Sequence, residues 1–166
     1  MLLRFFRNKM IVHREEISLL CEQLRNEGKR IVFTNGCFDI IHAGHVHYLT
    51  EAKKLGDVLI IGLNTDASVR RLKGNSRPIN NEQDRAEVLN ALKPVDYVIL
   101  FDEDTPLELI QQVRPDYLVK GADYQRQNIV GADFVESYGG RVATIEFVEG
   151  KSTTNIINRM KSSDEN

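Results

Sequence analysis

A chain in which short apolar runs alternate with segments of helical periodicity can fold in few ways. The strand-type runs here are Ile31-Val32-Phe33, Val58 to Leu63, Tyr97 to Phe101, Tyr117 to Val119 and Arg141 to Phe147. Helical patterns lie between them, over Ala43 to Leu55, Glu82 to Leu92, a segment opening at Thr105-Pro106-Leu107-Glu108, and Ile129 to Tyr138. Arg14 to Glu27 precedes the first strand and Ser152 to Met160 follows the last. Thr105 with Glu108 reads as a capping box with proline at the first helical position, and Gly28, Gly56 and Gly139-Gly140 read as stops. Val58 to Leu63 is continuously apolar, as in a strand covered on both faces. The alternation predicts a single-domain α/β fold, a Rossmann-like doubly wound parallel sheet of about five strands with flanking helices. A length of 166 residues suits one core. The expected organisation is an N-terminal helical extension over 1–28, the main domain over 29–162 and a polar tail over 163–166.

Charge and cysteine content narrow the partners. Twenty-two basic against 24 acidic residues leave a net charge of −2, which gives no electrostatic reason to expect nucleic acid or a membrane surface. Cys21 and Cys37 form neither a CxxC motif nor a zinc spacing, so two reduced thiols are expected. No apolar stretch is long enough for a signal peptide or a membrane span, and a cytoplasmic location is expected.

In a parallel sheet of this type ligands sit beyond the carboxyl ends of the strands. After the first main strand comes Thr34-Asn35-Gly36-Cys37-Phe38-Asp39-Ile40-Ile41-His42-Ala43-Gly44-His45. Gly36 lets backbone approach a ligand closely. His42 and His45, three apart at the start of a helix, share a face over its N-terminus, where free N–H groups and the dipole favour an anion; Gly44 leaves room for phosphate. Two ordinary surface histidines or a metal pair would give the same short pattern. The strand, Gly36 and the helix start favour phosphate, and no further ligands of fixed geometry accompany the pair, so no protein-held metal is expected. Gly150-Lys151-Ser152 resembles the end of a P-loop, but Ile145 stands where the other glycine is required, and no GxGxxG occurs. Ser152-Thr153-Thr154 opens the last helix as a cap whose hydroxyls can also meet phosphate. Of the basic stretch Arg70, Arg71, Lys73 and Arg77, Lys73 reads as part of a loop closing over a triphosphate, whereas Arg70 reads as solvated. Arg85 reads as a helix surface residue open to an ion pair. Lys120-Gly121-Ala122-Asp123 follows a strand end on the ligand side, where Gly121 would let a base stack on backbone.

At these residues the sequence resembles the HIGH-type nucleotidyltransferases, whose hallmark is a histidine pair of the form His42-Ala43-Gly44-His45. Within them it is most similar to the adenylyltransferase domain of bacterial ADP-heptose synthases, through Thr34 to His45, Leu63 to Lys73, Arg77-Pro78 with Arg85, Leu118 to Tyr124 and Glu149 to Ile157. The resemblance runs over residues 31–160. It implies transfer of an adenylyl group from ATP to D-glycero-β-D-manno-heptose 1-phosphate, with Mg²⁺ carried by ATP. It also implies His42, His45 and Lys73 as the catalytic set. Asn35, Gly36, Cys37, Phe38, Gly44, Arg85, Gly121, Ser152 and Thr153 would bind the nucleotide, and Asp39, Lys120 and Asp123 the sugar phosphate. In many bacteria this domain is fused to a sugar kinase; the resemblance here is to the split form, with a separate heptose kinase, and a homodimer is expected. Related cytidylyltransferases carry arginine and threonine where this chain has Phe147-Val148. A cytidylyltransferase acting on glycerol 3-phosphate, or a non-catalytic nucleotide-binding regulator, are the alternatives.

Overall fold

The computed structural model describes residues 11–146 and 153–163. Its six strands are β1 (Ile11–Val12), β2 (Ile31–Gly36), β3 (Val58–Asn64), β4 (Tyr97–Phe101), β5 (Tyr117–Gly121) and β6 (Arg141–Ile145). They form one parallel sheet in the order β1-β4-β3-β2-β5-β6. Seven α-helices accompany them: α1 (Ile17–Asn26), α2 (Ala43–Lys53), α3 (Asp66–Lys73), α4 (Glu82–Asn90), α5 (Leu107–Val113), α6 (Ala132–Ser137) and α7 (Thr153–Ser163).

Strand side chains alternate between faces, and each face has its own apolar layer. Phe33, Ile60, Ile99 and Leu118 point to one side, where Ile17, Leu20 and Cys21 of α1 and Leu109, Ile110 and Val113 of α5 cover them. Their neighbours Val32, Leu59, Ile61, Val98 and Val119 point to the other, under Leu49 and Ala52 of α2 and Ala86 and Leu89 of α4. At the amino ends of the strands, aspartates accept backbone N–H groups: Asp57 from Arg30 at 2.8 Å, Asp116 from Ile31 at 2.7 Å and Asp96 from Leu59 at 2.7 Å. These bonds fix one edge of the sheet and leave the carboxyl edge for the ligand.

Several expectations shift. The sheet has six strands, because Ile11–Val12, too short to stand out as a pattern, pairs with β4. Residues 11–26 are therefore part of the sheet and its core rather than an appended helical extension, and Ile17 and Cys21 are completely buried. Residues 14–16 form a separate 3-10 turn before α1. The Thr105 capping box does not form: Pro106, with φ −78° and ψ 9°, occupies the cap position without a side-chain hydrogen bond, and α5 begins at Leu107. The helix expected over Ile129 to Tyr138 shortens to Ala132–Ser137, because Gly131 takes φ +86° and interrupts it. A Cβ there would lie 2.8 Å from Ile110 Cδ1, so the position suits glycine sterically as well.

Candidate active site

The strand order reverses around β2: β3 and β4 lie on one side of it, β5 and β6 on the other. Strand ends that diverge at such a point leave a crevice between them. A cleft of about 230 Å³ opens here, walled by residues 35–39, by the end of α3 and the loop after it, and by Lys120 to Tyr124. Thr153 reaches it from α7, and Thr153 Oγ1 donates to the Ile40 carbonyl at 3.2 Å.

The loop from β2 to α2 is tightly shaped. Phe38 has φ 45°, a left-handed conformation uncommon for a bulky residue, and its ring lies so near Gly36 that a Cβ there would meet Phe38 Cε2 at 3.0 Å. The same ring lies 5.3 Å from His45, centroid to centroid. His42 is the N-cap of α2, with φ −142° and ψ 172°, and its Nδ1 accepts from the Gly44 N–H at 3.1 Å. A neutral imidazole that accepts at Nδ1 carries its proton on Nε2. His45, in the first turn, stacks on His42 with ring centroids 3.9 Å apart. Burial, then the neighbouring His42 and Lys73, push the His45 pKa down to about 4, so the ring is neutral at pH 7. Its Nδ1 is buried without a hydrogen-bond partner among the described residues. His45 lines the cleft, and His42 and Gly44 lie beside it at the helix start. The pair is thus a cap and a first-turn residue rather than two positions within a helix.

Asn35, Gly36, Cys37, Phe38, Asp39, Lys73, Gly121 and Asp123 line the cleft, as does Lys120. Lys73 is the last residue of α3, followed by Gly74 at φ 91°, so it stands at a helix end rather than within a loop. Burial pushes the Cys37 thiol above its ordinary pKa despite the cations Lys73, Arg85 and Arg77 nearby. Ser152 and the Phe147-Val148 pair lie outside the described residues.

Two expected ligands are engaged elsewhere. The Arg85 side chain is fully buried; it donates to the Cys37 carbonyl at 2.6 Å, the Asn80 carbonyl at 3.0 Å and Asp66 Oδ1 at 2.8 Å. It does not line the cleft and is not a surface residue; it braces the loop from β2 to α2 through the Cys37 carbonyl. The Asp39 side chain, only 1% exposed, takes Arg77 Nε at 2.6 Å and the N–H groups of Ile79 and Asn80 at 2.9 Å. Burial alone would raise the Asp39 pKa, but those N–H groups and the Arg77 guanidinium outweigh it and hold the carboxyl below its ordinary value. Its oxygens are occupied by the loop that carries Arg77, which leaves little acceptor capacity for a sugar hydroxyl.

Three cleft residues were not assigned from the sequence: Tyr48, Arg77 and Tyr124. Tyr48 follows His45 by three positions and so shares its helix face, a spacing that points to it. Its hydroxyl shares a 2.8 Å hydrogen bond with Thr34 Oγ1. Arg77 was visible in a basic stretch and in the resemblance, without a role, because its role depends on Asp39, 38 residues away.

A parallel sheet with a glycine-bearing loop, a stacked histidine pair at a helix N-terminus and cations on two sides of the crevice defines a nucleotidyltransferase-type α/β domain. The comparisons agree: a family model described as cytidylyltransferase-like matches residues 33–160, and the chain belongs to that family. It is 60% identical over 147 residues to the bifunctional protein HldE of Syntrophotalea carbinolica, covering 89% of this chain and 30% of the relative. With the bifunctional protein HldE of Nitratiruptor sp. it shares 60% identity over 148 residues, 89% of this chain and 31% of the relative. The chain therefore spans less than a third of the length of these curated relatives. Among solved structures, a lipopolysaccharide core biosynthesis protein from Thermoplasma volcanium superposes with a TM-score of 0.59 at 33% identity, over 75% of this chain and 100% of that one. A pantoate-beta-alanine ligase from Francisella tularensis superposes with a TM-score of 0.58 at 15% identity, over 92% of this chain and 77% of that one, a likeness of fold alone. No helix among the described residues is long and apolar enough to cross a membrane.

Proposed function

We propose that the chain transfers the adenylyl group of ATP to D-glycero-β-D-manno-heptose 1-phosphate, forming ADP-heptose and pyrophosphate for lipopolysaccharide core synthesis. The observation that carries this reading is where the heptose-type run falls: Lys120, Gly121, Asp123 and Tyr124 all line the cleft. The identity to bifunctional proteins HldE across the same region supports it. A cytoplasmic location, a homodimer and a heptose kinase activity that supplies the sugar phosphate belong to the same proposal.

In this reaction an acceptor phosphate oxygen attacks the α-phosphorus in line. The new P–O bond forms as the bond to the bridging oxygen breaks, and pyrophosphate leaves with that electron pair. The nucleophile is already an anion, so no general base is required, and catalysis rests on positioning and on donors aimed at developing charge. Neutral His42 and His45 supply such donors, with Phe38 packed against His45 to hold its ring. Backbone N–H groups of residues 36–38 add to them, and Thr153 stands at the other side. Lys73 offers positive charge to the β- and γ-phosphates, and Arg77, paired with Asp39, holds the loop beside it. Mg²⁺ carried by the triphosphate would neutralise part of its charge.

The test is a grid of ATP, CTP, GTP and UTP against heptose 1-phosphate, other sugar 1-phosphates and glycerol 3-phosphate, scored by pyrophosphate release. Highest catalytic efficiency with ATP and the heptose phosphate is expected. A preference for CTP with glycerol 3-phosphate would overturn the substrate assignment, and absence of turnover with every pair would favour a non-catalytic nucleotide binder.

A further inference from the structure

Three consecutive carboxylates, Asp102, Glu103 and Asp104, follow β4 at the carboxyl edge of the sheet. A triphosphate meets this edge in the proposed reaction, and unpaired acids there would repel it. All three are paired. Glu103 Oε1 accepts from Arg14 Nη2 at 2.7 Å, and Asp104 Oδ1 accepts from Arg71 Nε at 2.9 Å. Asp102 takes the Thr65 hydroxyl on its carboxylate and Arg71 Nη2 on its carbonyl, and Arg71 Nη2 also lies 3.5 Å from Asp102 Oδ1. Thr65 is the N-cap of α3 and Arg71 lies in its last turn, so the acidic turn holds both ends of that helix.

α3 needs such ties. It is two turns long and buries only Ser68 and Val69, so apolar packing does little to fix its tilt. Its first turn is held further by Glu82 Oε2, which accepts the Asp66 N–H at 2.7 Å, and by Arg85, 2.8 Å from Asp66 Oδ1. In its last turn Arg71 is the one residue that makes an ion pair among the described residues. Lys73 comes two residues later, ends the helix and lines the cleft with no ion pair of its own among the described residues. Beyond Gly74 the chain is fixed again where Asp39 takes Arg77.

Resting on the adenylyltransferase reading, we infer that Arg71 is a positioning residue: anchored on the acidic turn of residues 102–104, it fixes the end of α3 and so the point from which Lys73 reaches the triphosphate. A lysine ammonium on its flexible stem stands where the backbone beneath it allows. Arg71 does not line the cleft, and it acts through Lys73.

Position and charge predict opposite results when the acids are removed. Asp102→Ala with Asp104→Ala deletes two negative charges near the triphosphate, which by the field alone would tighten ATP binding. Loss of the anchor should instead weaken it, raising the calorimetric Kd for ATP–Mg²⁺ and the ATP KM by about threefold to tenfold. Arg71→Gln should give the same rise, and Arg71→Lys, which keeps one ionic contact, should recover part of it. The acceptor KM should stay within about twofold of wild type in each. Ion pairs as exposed as these contribute little to stability, so thermal melts should stay near the wild-type midpoint. In a Lys73→Ala background the same changes should no longer weaken ATP binding. Calorimetry reads ATP binding without turnover, so failure with every acceptor would count against the heptose reading alone. Tighter or unchanged ATP binding after the two aspartates are removed, or an equal loss in the Lys73→Ala background, would overturn the inference.

Discussion

Replacing Arg85 separates a structural role from a phosphate-binding one. Its buried guanidinium joins three segments: the Cys37 carbonyl in the phosphate loop, the Asn80 carbonyl before α4, and Asp66 in the first turn of α3. Arg85→Ala deletes three hydrogen bonds, one of them an ion pair. It also leaves two carbonyls without that donor and a void where the side chain was. At about 1–1.5 kcal/mol net per bond, with the penalty for the unpaired groups, the loss comes to about 3–5 kcal/mol. Domains of this kind are stable by about 5–15 kcal/mol, so the variant should fold but lie near the edge of stability. Arg85→Lys reaches one or two of the three acceptors and should recover only part of the loss. Denaturant midpoints followed by circular dichroism measure this directly, and ATP kinetics below the transition measure the rest. The expected kinetic effect is modest and indirect, through a loosened Cys37 carbonyl. A protein with an unchanged midpoint and an ATP KM raised about tenfold would refute the bracing role and return Arg85 to the phosphates.

His42→Ala and His45→Ala should each lower turnover by ~10²–10³ with the fold retained, since each removes one preorganised donor; turnover at the wild-type rate in either variant would remove that histidine from the site. His45 also predicts how stability depends on pH. Its folded-state pKa lies near 4 against 6.5 in the unfolded chain, so only the unfolded chain binds the proton between those values. Stability should be full above about pH 6.5 and fall as pH drops toward 4, and His45→Gln should flatten that fall in a pH series of thermal melts. Lys73→Ala should raise the ATP KM and lower turnover, and ATP–Mg²⁺ should protect residues 70–80 of the wild type from proteolysis. Unchanged kinetics and no protection would make Lys73 a solvated helix end.

Strands were legible where burial is uniform. Val58 to Leu63 is apolar because both faces of β3 are covered, and Tyr97 to Phe101, half-buried at Tyr97 and Leu100, is apolar enough to be bounded correctly as well. β1 was not legible, since two residues carry no period and its pairing with β4 joins positions more than 80 apart. The histidine pair could be read because its geometry is local, set by one helix start. The burial of Arg85 and Asp39 was not legible because charged residues are usually exposed. Only the tertiary structure brings Cys37, Asn80 and Asp66 around one and Arg77, Ile79 and Asn80 around the other. The same limit applies to the three strand-starting aspartates, whose partners lie 27 to 85 residues away.

The charge pattern of the cleft follows from what lies beneath it. Asp39 cancels Arg77 and draws the loop of residues 77–80 against the phosphate loop, while Arg85 cancels Asp66 and holds the Cys37 carbonyl from behind. Both pairs are largely buried, so their net effect on a ligand is small, but they fix where the phosphate loop sits. Donors fixed in this way need not reorganise when charge moves, which is the condition under which a polar site lowers a barrier. The histidines add donors without adding charge, because burial keeps His45 neutral and His42 accepts at Nδ1. Lys73 on the rim and Lys120 in the floor, on opposite flanks of β2, make no ion pair among the described residues. Under the proposed reaction two phosphate-bearing substrates meet in this cleft, and cations on both flanks of β2 would offset their mutual repulsion. Two ligands brought together against their own repulsion depend on both cations at once. Removing either should therefore lower turnover directly, whereas removing Arg85 or Asp39 should act through the position of the loop from β2 to α2.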